Sequence, residues 1–205
     1  EIDEACRLAG RPRSSVRLVA ASKAQPATAV REAADAGQLL FGENYAREMR
    51  DKRLALAGLH GLNLEWHFIG RVQTGNAKEI SNASLVHGVG SLEQARALAK
   101  RGPVRALLQL SLWDEASKNG FEIEELRRDL PVLRELVGLT LAGFMAMPPP
   151  AVEAPAAFAK VREVRDSIAP DLQELSMGMS ADFPAAIREG ATLVRIGTAL
   201  FGARS

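Results

Sequence analysis

Apolar residues along this chain gather in short runs, separated by stretches where they recur at helical spacing. Val16, Leu18, Val19, Ala20 and Ala21 form the first run, interrupted only by Arg17. Such a run reads as a strand covered on both faces, as in a parallel sheet. Ser22 and Lys23 follow directly, and Pro26 opens a helix. Residues 27–36 carry Val30, Ala33 and Ala34 at helical spacing and stop at Gly37, a C-cap. Leu39-Leu40-Phe41 is the second strand, ending in Gly42-Glu43-Asn44, with a helix to about Ala57. Residues 64–69 are a third strand closed by Gly70, and 73–81 a short helix. Residues 84–89 are a fourth strand and 91–100 a helix; Val104 to Leu110 are a fifth strand, followed by a polar loop from Ser111 to Gly120. Leu126, Leu130 and Leu133 mark a helical face that Pro131 is expected to break or kink. Leu139 to Met145 are a sixth strand, leading to Met147 and a triple proline at 148–150. Phe158, Val161, Val164 and Ile168 give an amphipathic helix. Leu172 to Met177 are a seventh strand, residues 181–189 a helix ended by Gly190, and Thr192 to Ile196 an eighth strand.

Strict strand–helix alternation argues for a parallel sheet, and eight units argue for closure. At roughly 25 residues a unit, the chain sits near the compact limit of a (β/α)8 barrel. A doubly wound open sheet is the alternative, but it usually needs fewer units. No linker or shift in composition marks a second domain, so the pattern predicts one α/β barrel over residues 1–205.

Composition narrows the classes of function. Apolar residues make up 47% and charged residues 25%, which suits a globular domain with a sizeable core. Lys+Arg number 26 against 25 Asp+Glu, so there is no global basic field to favour nucleic acid. Cys6 is the single cysteine, which excludes an internal disulfide or a cysteine-based metal site and fits a reducing cytoplasm. No apolar run approaches the ~20 residues of a membrane span. The first residues carry acids where a signal peptide carries bases. They read as the tail of a helix, and with no Met at the start they predict further residues upstream.

In a parallel barrel every residue just after a strand lies on one rim, where ligands bind. That rim collects Lys23, Asn44, Gly70, Met145, Gly178 to Ser180, and Gly197-Thr198. A partly desolvated lysine there can form a Schiff base, because burial lowers its pKa and frees the amine. Its bland counterpart is a strand-end lysine pointing to water. Ser176 to Asp182 reads as strand, glycine turn and helix start, with free backbone N–H groups for an anion or with Ser180 as a simple N-cap. Gly197 and Thr198 follow the eighth strand, where these barrels commonly grip phosphate. Arg195, between Val194 and Ile196, points either into the barrel or toward the helices and needs a partner in both cases. Its bland counterpart is a structural ion pair. A lysine, a phosphate cup and an arginine together suit a phosphorylated carbonyl ligand, pyridoxal 5′-phosphate (PLP) or a sugar phosphate.

Seven stretches, taken in order, are similar to one family over nearly the whole chain: Val19 to Pro26, Phe41 to Tyr45, Glu65 to Gly70, Ser117 to Gly120, Gly143 to Pro148, Ser176 to Asp182 and Val194 to Gly202. The chain resembles the pyridoxal phosphate homeostasis protein family. That resemblance implies a single barrel like the N-terminal domain of fold-type III enzymes such as alanine racemase. It implies PLP held as an internal aldimine on Lys23, Arg195 facing the pyridine nitrogen, and phosphate held around Ser180, Gly197 and Thr198. Asn44 and Met145 would lie near the cofactor ring. One departure stands out. The family usually reads Gln-x-Asn-Lys after the third strand, whereas here Gln73-Thr74 is followed by Gly75-Asn76-Ala77-Lys78. An ungapped reading puts Asn76 at the lysine position, and small shifts would bring in Lys78.

PLP supplies the electron sink and the protein tunes it. An arginine at the pyridine nitrogen disfavours its protonation and weakens that sink. Racemases with this arrangement add a tyrosine base from another domain or subunit. Here Tyr45 is the one tyrosine, and His67 and His87 lie inside apolar strand patterns that read as core. The expectation is a PLP carrier or regulator in cytoplasmic PLP homeostasis, with little or no turnover. It would be a monomer, with PLP-dependent apoenzymes as possible recipients and no nucleic-acid or membrane partner. The alternatives are a fold-type III racemase or a Schiff-base aldolase acting on a sugar phosphate.

Overall fold

Each apolar run forms a strand, and a helix returns over it to start the next. In the computed structural model, which describes residues 1–58, 63–113, 119–149 and 152–202, the order is α1 (Ile2–Leu8), β1 (Arg17–Ala21), α2 (Ala27–Asp35), β2 (Leu40–Glu43), α3 (Ala46–Ala55), β3 (Glu65–Phe68), α4 (Ala77–Ile80) and β4 (Leu85–Val89). It continues through α5 (Leu92–Ala99), β5 (Val104–Gln109), α6 (Ile123–Arg134), β6 (Leu139–Met145), α7 (Ala154–Ile168), β7 (Glu174–Ser176), α8 (Phe183–Arg188), β8 (Leu193–Ile196) and α9 (Thr198–Phe201). The strands pair in sequence order, all parallel, and β8 returns to β1 with Leu18 opposite Val194 and Val19 opposite Arg195. The barrel is closed.

Two differences from the sequence reading have simple causes. Helix α6 runs on through Pro131 to Arg134. Proline removes one backbone donor, but so near the helix end Leu130 and Leu133 still bury their side chains and hold the last turn against the sheet. The helix expected over 181–189 starts at Phe183, capped by Asp182, whose carboxylate accepts the Met179 N–H at 2.6 Å. Ser180 therefore belongs to a turn before the helix and is not its N-cap. The expectations for Ser117 and for Pro150 fall on residues outside those described.

The core has two parts. Phe41, Trp66, Phe68, Phe144 and Phe158 belong to the layer between strands and helices, with the Phe41 and Trp66 rings 5.6 Å apart. Inside the barrel a separate cluster joins Val19, Leu40, Leu85, Leu107, Met145 and Leu193. Residues two apart on a strand share a face. Arg17, His67, His87 and Arg195 therefore share the inner face with Val19, Ile69, Leu85 and Leu193. Arg195 points into the barrel, which resolves the two directions open to it from sequence.

Those inner polar groups are connected. Arg195 Nη1 donates to Ser176 Oγ at 2.5 Å, and Ser176 Oγ lies 2.8 Å from His87 Nδ1. His87 Nε2 is 2.9 Å from His67 Nδ1, and His67 Nε2 is 2.9 Å from Glu65 Oε1. Arg17 donates to Glu65 Oε2 at 2.5 Å. Burial pushes both histidines below the ordinary imidazole value, His87 strongly so. The hydrogen bond from His67, with Arg17 beside it, holds the Glu65 carboxyl down at about 2.

Depressed histidine values carry a sign. Below about pH 6.5 the unfolded chain takes up protons that buried His67 and His87 refuse, so stability is present above that pH and lost as pH falls. The slope reaches about 1.4 kcal/mol per pH unit for each histidine. Glu43, raised by burial, works the other way from its ordinary carboxylate value upward. Glu65, held low, adds a further loss that starts as pH falls below its ordinary carboxylate value and is complete near pH 2. Urea midpoints are expected to drop between pH 7.5 and pH 5, and a flat profile across that range would contradict neutral buried histidines.

Candidate functional site

The carboxyl ends of β1 and β8 and the turn after β7 enclose a cavity of about 320 Å³. Lys23, Asn44, Ser180, Arg195, Gly197 and Thr198 all line it. A second hollow of about 290 Å³ adjoins it, and Asn44, Ile69 and Met147 border both. Met145 lines that second hollow beside Gln109, not the lysine cavity. Of the seven residues singled out from sequence, six thus meet around one space and the seventh stands next door.

Lys23 is half-buried, directly beyond β1. The backbone on either side of it is held unusually firmly. Ala24 has φ +60°, a left-handed conformation that costs a residue with a side chain about 1 kcal/mol. Its N–H donates to Glu48 Oε1 at 2.7 Å, and Gln25 N–H closes a turn onto the Ser22 carbonyl at 3.0 Å. Lys52 Nζ donates to that same carbonyl, to Glu43 Oε1 and to Glu48 Oε1, at 2.6, 2.6 and 2.7 Å. Ser22 Oγ donates to Glu43 Oε1 at 2.6 Å. Ser22, Glu43 and Lys52 are all buried. Helix α3 thereby pins Ser22 and Ala24, the two neighbours of Lys23, through one charged cluster.

Sequence reasoning missed this cluster. Its visible signal was Glu43 closing an apolar strand, with Glu48 and Lys52 one helical turn apart on the next helix.

Arg195 is 6% exposed. Its guanidinium donates to the Ser176 carbonyl at 2.8 Å, to Ser176 Oγ, and to the Ala146 carbonyl at 3.2 Å. Burial lowers its pKa to about 10, partly offset by Asp182, so it stays a cation at neutral pH. These bonds use both Nη1 hydrogens and one on Nη2. Nε–H and the second Nη2–H are left over among the described residues.

Across the cavity, the backbone N–H groups of Ser180, Ala181 and Thr198 have no protein acceptor among the described residues. A Cβ on Gly197 would sit 3.0 Å from the Ala21 carbonyl oxygen, so a side chain there would crowd β1 where it opens into the cavity. Asn44 Oδ1 is buried with no hydrogen-bond partner among the described residues. Buried acceptors are rarely left so.

Three other residues weighed from sequence lie elsewhere. Tyr45 is 65% exposed and faces an outer groove between α2 and α3. Lys78 is exposed in a groove with Arg50 and Arg53, away from both rim cavities. Asn76 closes the turn before α4, accepting the Gln73 N–H at 3.0 Å and donating to the Arg71 carbonyl. Among the described residues no cluster of metal ligands occurs, and no helix is long and apolar enough to cross a membrane.

The family model described as alanine racemase, N-terminal domain, matches residues 2–205. A pyridoxal phosphate homeostasis protein of Pseudomonas aeruginosa is 45% identical over 99% of this chain and 91% of its own length. One from Escherichia coli is 39% identical over 100% of this chain and 92% of its own. Among solved structures, PipY of Synechococcus elongatus with PLP bound superposes with a TM-score of 0.85 at 36% identity, covering 98% of this chain and all of that one. Alanine racemase from E. faecalis, 17% identical with a TM-score of 0.67, shares the fold over 57% of its length. The sequence motifs, the closed barrel and the full-length relatives agree: the chain belongs to the alanine racemase N-terminal-domain family and, within it, to the pyridoxal phosphate homeostasis proteins.

Proposed function

We propose that this chain binds pyridoxal 5′-phosphate on its barrel rim, attached through Lys23, and serves in PLP homeostasis as a carrier or regulator with little turnover. The observation that carries the reading is the convergence of a braced lysine, a buried arginine and unpartnered backbone donors on one cavity of about 320 Å³. PLP is a phosphorylated aldehyde that condenses reversibly with a primary amine, releasing water.

The residues fit such a ligand group by group. The N–H groups of Ser180, Ala181 and Thr198, with the hydroxyls of Ser180 and Thr198, would donate to the phosphate, because unpaired backbone donors at a turn favour an anion. Lys23 would hold the aldehyde carbon. Arg195, a donor with no acceptor capacity, would face the ring nitrogen. Asn44 Oδ1 needs a donor, which a ring hydroxyl supplies. Met145 would shape the neighbouring hollow without touching the ring.

A cation opposite the ring nitrogen keeps that nitrogen unprotonated, and a ring so held is a poor electron sink. Racemisation also asks for a second acid–base group facing the lysine. Tyr45 lies on the outer groove, and both inner histidines are committed to the hydrogen-bonded chain. These placements support holding over turnover. PLP-dependent apoenzymes are the recipients this role calls for.

Two outcomes are expected. Added PLP turns the purified protein yellow, borohydride removes the colour, and Lys23→Ala abolishes it. A Lys23→Ala protein that colours like the wild type places the anchor elsewhere, and enzyme-like racemisation of alanine contradicts the carrier reading. Lys52→Met strands the buried Glu43 carboxylate, at a cost of about 3–5 kcal/mol in unfolding free energy, and lowers PLP occupancy with it. Adding Glu43→Gln to that variant restores most of the stability, because it removes the uncompensated charge. A Lys52→Met protein within about 1 kcal/mol of wild type would rule out the cluster as the brace of the lysine loop.

A further inference from the structure

The inner chain Arg17–Glu65–His67–His87–Ser176–Arg195 runs through the barrel from one end to the other. Glu65 and Arg17 stand at the amino ends of β3 and β1, partly open to solvent. Arg195 stands at the cavity. Between them His67, His87 and Ser176 are fully buried. Every link is a hydrogen bond between side chains, and all but His67–Glu65, which lies within β3, join two different strands.

With both histidines neutral the chain has one direction, imposed from the Glu65 end. Arg195 can only donate, so Ser176 Oγ accepts from it, and the hydroxyl proton goes to His87 Nδ1. A neutral His87 then carries its proton on Nε2 and donates to His67 Nδ1. His67 likewise carries its proton on Nε2 and donates to Glu65, which is ionised and can only accept. Reversing any link would set two acceptors or two donors face to face. Every ring nitrogen is used once, with both histidines neutral.

We propose that Ser176, His87 and His67 are positioning residues: through this directional chain they hold the Arg195 guanidinium in one orientation, leaving Nε–H to the ring nitrogen of the cofactor. This rests on the reading of the cavity as a PLP site and extends it to residues that do not line the cavity. Without Ser176 Oγ, Nη1 keeps only the Ser176 carbonyl as a partner, and the fork can rotate about its remaining bonds. The charged groups acting on the chain are Arg17 on β1, Glu65 on β3, Glu174 on β7 and Arg195 on β8, with Asp182 before α8.

Two measurements test the proposal. The first uses ligand-free protein labelled with 15N in histidine. Both inner histidines are expected neutral with the proton on Nε2 from pH 7.5 to 5.5, and an Nδ1–H form of either, or titration near pH 6.5, overturns the chain. The second compares binding of PLP with that of its analogue carrying CH in place of the ring nitrogen. Wild-type protein is expected to prefer PLP about tenfold, the scale of one hydrogen bond to a charged group. Ser176→Ala should erase that preference while leaving affinity for the analogue unchanged, and Ser176→Thr should restore it. If Ser176→Ala keeps the full preference, the chain does not position Arg195. Should the wild type bind both ligands equally well, Arg195 does not face the ring nitrogen and the proposal falls while attachment at Lys23 stands. Binding of neither ligand removes the PLP reading itself, and this proposal with it.

Discussion

A barrel of eight short parallel strands has no room inside for bulk water, so any polar group aimed inward must be satisfied by the strands around it. That constraint shapes this molecule. Arg195 is a cation in the barrel with no carboxylate bonded to it among the described residues; carbonyls and the Ser176 hydroxyl surround it instead. Ser176 in turn needs His87, His87 needs His67, and His67 needs Glu65, which reaches Arg17 and the solvent. A single buried cation at the ligand end is thereby linked to the opposite end of the barrel. Replacing one member leaves its neighbour with an unpaired polar group, which is costlier than losing the bond.

The rim obeys the same logic on its outer side. Lys23 gains its position from the backbone on either side of it. A left-handed alanine is tolerated where the surroundings over-determine it, and here Glu48 and Lys52 of α3 do so. Glu43 and Lys52 form a buried pair at 2.6 Å. Such pairs contribute little net stability, but they are expensive to break and so enforce a geometry. The proposed attachment of an aldehyde at Lys23 would benefit from that rigidity.

Much of this was legible in the residues. All eight strands lie within two residues of the apolar runs at their starts, because strands covered on both faces advertise themselves as continuous hydrophobic segments. The placement of Lys23, Gly197 and Thr198 around one cavity was readable because the rim of a parallel barrel is defined by where strands end, whereas the inward direction of Arg195, inside β8, was not. What stayed hidden was pairing between strands distant in sequence. His67 and His87 read correctly as core, yet nothing local says that each is the other's partner or that Ser176 completes the line. The brace from Glu43 to Lys52 was equally silent, since strand and helix patterns do not reveal which charges meet beneath a loop. Pro131 does not end its helix, because one missing donor near a helix end weighs less than the leucines burying that turn. Ser180 misled because the helix starts later, at Phe183, which leaves Ser180 in the turn that Asp182 closes onto Met179.

The account turns on Lys23 as the anchor for an aldehyde ligand, and peptide mapping by mass spectrometry after borohydride reduction tests it most directly. A phosphopyridoxyl group on the peptide carrying Lys23, and on no other lysine at one equivalent of PLP, is the result the account predicts. A label on Lys52, Lys78 or spread over surface lysines would contradict it.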